Sequence, residues 1–597
     1  MIGSAKVRAL CACGTLAAVF TLFSARLVQL QVCRHDRYVK IAAMMHGERN
    51  TIYALRGPIQ DVNGETLAES QPTATIVADG LDPARREAVA KLLAAPLQMR
   101  EADILAKLGR GGRRIVLKQK VPGAEADALV AQLRVPSQKG IRAEPTQERN
   151  YPNGTMLSHV LGFMNARRAG GGENEPGEGV EGIEKTMEPY LRGQDGFRYT
   201  EHDREQKEVV VYRGQERGVR DGFKVRLTVD LHAQKIVEDE LNDLCSKYKP
   251  EKAIAIFMRP ATGEILALAN RPTFNLNTLR SPTGAVLAGD AEAFKNAAVI
   301  QQIEPGSTFK IVTTAAALDQ KLVRPDTSIF CENGHYLYAG RTLHDHGVGF
   351  ADLTVSDILM KSSNIGAAKL ALKLGDQKFY EYIRRFGFGE RTGVSLPGEI
   401  SGVIHPPHKW AKVDITRIAM GQSVSVTPLQ SITAMAAIAN GGHLMLPQIV
   451  RQITDTEGRN IVDFPPVEVR QVVSEQTARE ISDALKSVVS EKGTAALARV
   501  NGFTVAGKTG TAEKINPNGG YFAGKYVLSF IGYLPAENPQ FVGLVLLDNA
   551  KVSAEQNYGG QIAAPGFAHM AEKIAQYLNL EPAPSPFGKG ILTQRDR

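Results

Sequence analysis

Cysteine is scarce, with five in 597 residues, which excludes a scaffold built on disulfides. Cys11, Cys13 and Cys33 lie in or beside one apolar segment, so only Cys245 and Cys331 belong to the rest of the chain. Those two read as unpaired, buried thiols, with a Cys245–Cys331 disulfide as the open alternative. Cys13 has almost no apolar segment before it and does not suit a lipoprotein anchor. Long runs of one charge are also missing. The net charge of +8 comes from 71 basic and 63 acidic residues spread along the chain. Without basic runs or interleaved aromatics, a nucleic-acid binder is not indicated. The balance permits attraction to anionic membranes or cell-wall polymers. No repeat with a period of about 20 to 50 residues is found, which argues against a solenoid or propeller.

Long apolar runs are limited to one. Residues 9–25, ALCACGTLAAVFTLFSA, are uncharged, and LVQLQV extends the apolar character to Val32. Lys6 and Arg8 precede the run and Arg26 follows it. The length suffices to cross a bilayer when flanking residues snorkel. A cleaved signal peptide is the alternative, but no clean small-x-small site precedes Arg26, so a retained anchor is favoured. The expected order is a cytoplasmic tail at 1–8, a single transmembrane anchor at 9–32, and the bulk of the chain outside the cytoplasm. Flanking charge does not settle the orientation, since Arg26, Arg34, Arg37 and Lys40 lie beyond the run. At this length the chain is expected to hold about three or four units.

From residue 39 to about 222, short strand and helix patterns mix with glycine-rich breaks, and RRAGGGENEPGEG (167–179) reads as a flexible loop. Near 222 the character changes: an alternating strand, Lys224 to Val229, runs into a helix through Asp230, a plausible N-cap. A domain boundary is placed there, giving units at 39–222 and 223–578. Beyond it, AIAIFMRPATGEILALAN reads as two strands joined by a Thr262-Gly263 turn, followed by a mainly helical stretch from about 291 to 440. Strand patterns return in GFTVAGKTGTAEK, VLSFIGYLPA and QFVGLVLLDN. A last helix at about 564–578 precedes a Pro-rich tail, 579–597, that reads as disordered. Strands, a helical block, strands and a final helix predict an antiparallel sheet completed by distant segments, with helices packed on it: an α+β fold.

The chemistry concentrates in three short patterns. EPGSTFKIVTTAAALDQ (304–320) turns on Pro305 and Gly306 and opens a helix with Ser307 and Lys310 three apart, on one face. A serine needs activation at neutral pH, and a lysine supplies it only where burial favours the neutral amine. The helix start also offers the N–H of Ser307 to a developing oxyanion. Chance alone supplies on the order of two SxxK matches in such a chain. The second one here, Ser246 to Lys249, sits at the polar end of a helix pattern and reads as a solvated face. Downstream, LMKSSNIGAAKLALKLG carries Ser362, Ser363 and Asn364 before an apolar helix, and GFTVAGKTGTAEK carries Lys508, Thr509, Gly510 and Thr511 on a strand. Strand alternation turns Lys508 one way, toward Ser362, and Thr509 and Thr511 the other, toward a substrate carboxylate. Gly507 and Gly510 are expected to leave the backbone open to an extended peptide, with the Thr511 N–H as a second oxyanion donor.

SxxK, SxN and KTG in this order resemble the signature of the penicillin-recognising serine acyltransferases. The resemblance covers nearly the whole chain. RGPIQDVNGETLA (56–68), RNYPNGTMLSHVLGF (149–163) and GVEGIEKTMEPYLRG (179–193) are similar to the pedestal of class B penicillin-binding proteins. FGFGERTGVSLPGE (386–399), GQSVSVTPLQ (421–430), IANGG (438–442) and YGGQIAAPGF (558–567) are similar to their transpeptidase domain. IEPGSTFK and LPGE look closer to the septal branch than to the elongation branch, where proline commonly replaces Glu304.

The resemblance implies a membrane helix, an elongated mixed α/β pedestal at 39–222 and a transpeptidase domain at 223–578 with an antiparallel sheet between helices. It further implies acyl transfer on peptidoglycan stem peptides ending in D-Ala-D-Ala. Ser307 is then the nucleophile and Lys310 its base. Ser362 and Lys508 relay a proton to the leaving amine, and Asn364 holds the peptide and orients Lys310. Thr509, Gly510 and Thr511 bind the substrate end, and the N–H groups of Ser307 and Thr511 form the oxyanion hole. β-Lactams would acylate Ser307. Neither a metal nor an organic cofactor is implied, and the implied partners are a lipid-II glycan polymerase and other division proteins.

LHDHG places His344 and His346 around Asp345, a possible metal triplet that lacks a third distant ligand at a recognisable spacing. A β-lactamase would ordinarily lack the anchor and the long pedestal. A bifunctional synthase would need an acidic glycosyltransferase motif that the pedestal does not show, and a noncatalytic β-lactam sensor would not need every catalytic position.

Overall fold

A computed structural model describes residues 2–38, 47–78, 81–110, 114–133, 140–165, 177–202, 208–211, 216–279, 291–347, 349–516 and 519–582. The tail beyond residue 582 and most of the 167–179 loop lie outside the described residues. By compactness the chain forms two units. One comprises residues 1–55 and 193–221, the other residues 56–192 and 222–597.

In the first unit, Ile2–Val28 is one α-helix, continued by a π-helical turn at Gln29–Cys33. The segment from Lys6 to Cys33 is long and apolar enough to cross a membrane, with a mean hydropathy of 1.7 over its best window. Strands Gly47–Ile52, Gly196–His202 and Glu208–Val211 form a separate antiparallel sheet with Gly196–His202 in the middle.

The second unit is built on two sheets. Strand Lys224–Leu227 lies between Ile59–Gln60, to which it is parallel, and Val450–Thr454, to which it is antiparallel. That sheet continues through Thr66–Ala78 to Ile115–Pro122 and Ile141–Asn150. As expected, Asp230 caps the helix after it, its carboxylate accepting the N–H groups of His232 and Ala233.

The other sheet has five antiparallel strands: β1 (Lys252–Met258), β2 (Ile265–Arg271), β3 (Ala506–Ile515), β4 (Tyr521–Leu534) and β5 (Phe541–Asp548), in spatial order β2-β1-β5-β4-β3. All eight residues of β5 are buried, so both its faces are covered. The covering helices include α1 (Leu231–Tyr248), Pro428–Ala439 and the C-terminal Gly559–Tyr577. β3, the KTGT strand, lies at one edge of the sheet and β2 at the other.

Two local expectations are revised. The 291–440 stretch is not continuously helical, because short strands at Ser328–Phe330, His335–Tyr338, Arg341–His344 and Asp352–Thr354 interrupt it. The last helix starts at Gly559, not near 564, and carries Pro565 inside it. Its two leading glycines sit where a Cβ would strike the backbone oxygens of Gly510 and Ser529, or of Thr494. Tight packing on β3 thus overrides the usual reading of Pro as a helix start. Among the cysteines, Cys245 and Cys331 are free thiols, Cys331 buried and Cys245 half-buried.

Candidate active site

Ser307 lies in a 3-10 turn, Gly306–Phe309, and Lys310 begins helix α2 (Lys310–Asp319). The Lys310 N–H bonds to Ser307 O. This modifies the expected α-helical start usefully, since side chains at i and i+3 eclipse in a 3-10 turn. The turn needs Gly306, whose φ is +55°. A Cβ there would come within 3.2 Å of Thr511 O and 3.3 Å of Ala512 Cβ, so the Ser307 turn rests directly on β3. Ser307 is half-buried.

Helix α2 is buried on all sides except its last residue, and this takes Lys310 out of water completely. Its Nζ donates to Ser362 O at 2.5 Å and Asn364 Oδ1 at 2.7 Å, and lies 3.3 Å from Ser362 Oγ. Burial lowers the Lys310 pKa to about 7, against the opposing pull of Asp345.

The SSN segment works as a turn between helices. Ser362 ends Val355–Lys361 in a left-handed conformation, with φ +59°. Ser363 then caps helix α3 (Asn364–Leu374) through a bond from Gly366 N–H. The left-handed residue lets both oxygens of Ser362 meet the lysines. Lys508, fully buried on β3, donates to Ser362 Oγ at 2.9 Å. Burial and the nearby Lys310 both lower its pKa.

Sequence reasoning missed Asp345 as part of this assembly. Its carboxylate accepts the N–H groups of Asn364 (2.5 Å) and Ile365 (3.1 Å) and the Ser363 hydroxyl (2.9 Å). The carbonyl of neighbouring His344 accepts Asn364 Nδ2 at 2.9 Å, so the amide is held with its oxygen toward Lys310. The HDH triplet was the visible signal, read as possible metal chemistry. In the fold, His344 Nδ1 faces His335 Nδ1 at 2.9 Å while Asp345 serves the helix start. Among the described residues no three such groups converge on a metal-sized site.

On β3 the two threonines differ. Thr509 is 8% exposed and its hydroxyl pairs with Thr494 at 3.2 Å. Thr511 is half-buried and its hydroxyl accepts the Gly559 N–H at 3.2 Å. The alternation is incomplete, as Lys508 Nζ also reaches Thr509 Oγ1 at 3.5 Å. The space a side chain would take at the two glycines is filled, while β3 keeps its place at the edge of the sheet. A Cβ on Gly510 would lie 2.3 Å from Ser529 Oγ and 3.2 Å from Pro305 O, and one on Gly507 would lie 2.4 Å from the Phe530 ring. They are small because the protein's own chain fills that space.

Comparison with protein families matches a penicillin binding protein transpeptidase domain to residues 253–572 and a penicillin-binding protein dimerisation domain to residues 51–227. The chain belongs to the class B penicillin-binding proteins. This penicillin-binding protein is 32% identical over 575 residues to the stage V sporulation protein D of Bacillus subtilis strain 168, covering 94% of this chain and 84% of that one. It is 31% identical over 582 residues to the peptidoglycan D,D-transpeptidase FtsI of Escherichia coli K12, covering 96% and 92%. A crystal structure of a peptidoglycan synthetase from Bifidobacterium adolescentis superposes with a TM-score of 0.71 at 29% identity, over 91% of this chain and 98% of that one. Penicillin binding protein 3 of Mycobacterium tuberculosis, complexed with aztreonam, gives 0.67 at 26% identity, over 90% and 98%. The chain is thus a serine-type transpeptidase of this family.

Proposed function

We propose that this penicillin-binding protein cross-links peptidoglycan stem peptides in septal wall synthesis, anchored by residues 9–32 with residues 1–8 in the cytoplasm. The pedestal at 39–222 and the transpeptidase domain at 223–578 then lie outside the cytoplasmic membrane, in the periplasm. Neutral Lys310 takes the proton of Ser307 Oγ as that oxygen attacks the carbonyl between the last two D-alanines. The N–H groups of Ser307 and Thr511 hold the oxyanion. The C–N bond breaks, and the departing D-alanine amine gains a proton relayed from Lys508 through Ser362. Asn364 keeps Lys310 aligned, and Thr509, Gly510 and Thr511 receive the terminal carboxylate. The amine of a neighbouring stem peptide attacks the acyl ester, gives up a proton and frees Ser307. A β-lactam follows the first half and stalls as the acyl-enzyme.

The observation that carries the reading is a buried Lys310, three residues from Ser307, bonded to both Ser362 and Asn364. Labelling with fluorescent penicillin tests it: the protein should label once and Ser307→Ala not at all. Rapid multiple turnover of nitrocefin would instead indicate a β-lactamase. The septal assignment is supported by the IEPGSTFK and LPGE segments. Its partners would be a lipid-II glycan polymerase and other division proteins. A fluorescent fusion should form midcell rings, whereas dispersed lateral patches would indicate elongation.

A further inference from the structure

Glu304 is 6% exposed, yet its side chain is ionisable and lies three residues before Ser307. Its surroundings explain the burial. The segment before the nucleophile runs antiparallel to residues 421–426, with Ile303 and Val426 exchanging backbone bonds at 3.0 and 2.9 Å and Gly306 N–H reaching Gly421 O at 3.2 Å. Between those pairs the partner chain bends at Ser423, whose φ is +58°. The freed Ser423 N–H is taken by Glu304 Oε1 at 2.8 Å. The same carboxylate accepts the Tyr521 hydroxyl, at 3.2 and 3.1 Å to its two oxygens. Tyr521 opens β4 and pairs with Ile515 of β3. One carboxylate therefore ties together the nucleophile turn, the 421–426 segment and the hairpin that carries Thr511.

We infer that Glu304 is a positioning residue that fixes the distance between the Ser307 and Thr511 N–H groups, through Tyr521 on one side and Ser423 on the other. The inference rests on the acyl-transfer reading, in which those two N–H groups hold the oxyanion. A displaced donor loses stabilisation only when the oxyanion forms, so the effect falls on the acylation step and spares ligand docking. An ionised carboxylate accepts from both donors, and a protonated one keeps its carbonyl oxygen as an acceptor. Burial raises the Glu304 pKa and Glu513 on β3 adds to this, while the Ser423 and Tyr521 bonds and Arg417 oppose it.

The test measures acylation of the detergent-solubilised full-length chain by fluorescent penicillin, separating noncovalent binding from the maximal acylation rate. Glu304→Ala should lower the maximal rate by about 10- to 100-fold with little change in noncovalent affinity. Tyr521→Phe should fall between it and wild type. Glu304→Gln should recover most of the rate, because its amide oxygen still accepts the Ser423 N–H. Wild-type acylation in Glu304→Ala overturns the inference. So does an equal loss in the Ala and Gln variants accompanied by a lowered melting temperature, which marks a merely structural residue. Failure of the wild type to label through Ser307 would instead sink the acyl-transfer reading itself.

Discussion

Lys310 and Lys508 reach one hydroxyl from two different elements, their Nζ atoms 3.3 and 2.9 Å from Ser362 Oγ. Both amines are fully buried, so both lose the hydration that favours the charged form. For Lys508 the nearby Lys310 adds to this, and Asp345 is the group that pulls Lys310 back toward protonation. Near neutrality the pair holds fewer than two protons.

Acylation by a β-lactam should therefore rise with pH through about 7 and level off above it, the value to which burial brings Lys310. Lys310→Ala should cost about 10²- to 10⁴-fold in acylation rate. The same shift has a stability consequence. Between about 7 and the ordinary value of 10.5, the unfolded chain binds a proton at this lysine that the folded chain does not. Stability from this group therefore rises with pH across that window. Lys310→Met removes the dependence, so melting temperatures compared across that range should shift in favour of the wild type as pH rises.

Asp345→Asn should move the acid limb of that acylation profile to lower pH, because Asp345 is the charge that holds the Lys310 pKa up. Asp345→Ala should also lose the cap on α3, costing about 0.5–2 kcal/mol in denaturant unfolding. An unshifted profile in the Asn variant would mean that Asp345 acts only as a cap.

Why the sequence revealed Ser307, Lys310, Ser362, Asn364 and Lys508 but not Asp345 or the Glu304 contacts has a physical answer. The first set lies in short patterns whose spacing is local: a turn before a helix, a turn between helices, an alternating strand. Asp345 caps a helix from 19 residues upstream of Asn364, and N-cap signals are legible only next to the helix they start. Tyr521 meets Glu304 from 217 residues away, a pairing that only the tertiary fold creates. The core strands were readable because continuous apolar runs, as in FVGLVLLD, mark strands covered on both faces. The start of the last helix was not, because it is set by contact with β3.

Gly510→Ala should destabilise the chain by about 1–3 kcal/mol and slow acylation, since overpacking forces β3 away from the nucleophile turn. The closest obstacle is Ser529 Oγ, at 2.3 Å from the added Cβ, with Thr308 Cγ2 and Pro305 O behind it at 3.1 and 3.2 Å. Ser529→Gly in the same chain removes the first obstacle only. Denaturant unfolding of the double variant should recover part of the loss. Full recovery would show that the nucleophile turn was never under pressure.

Glu184 sits at the centre of a buried cluster with Arg56, Arg149 and Tyr151. Its carboxylate has no exposed surface and accepts Arg56 Nε at 2.6 Å, Arg149 Nε at 2.7 Å and the Tyr151 hydroxyl at 3.2 Å. Burial pushes its pKa up, but the two guanidinium groups outweigh burial and hold it below the usual carboxyl range. Glu184→Ala leaves the buried Arg149 without its carboxylate and Arg56 with Glu188 alone, and should cost about 3–5 kcal/mol in unfolding free energy. The sign with pH follows from the lowered pKa. The stabilisation is complete above the unfolded carboxyl pKa and is lost as pH falls through the folded one, where the wild type takes up a proton. Glu184→Gln should therefore be less stable than wild type at neutral pH and approach it under acid conditions. A gap that stays constant with pH would assign the role of Glu184 to packing and not to its charge.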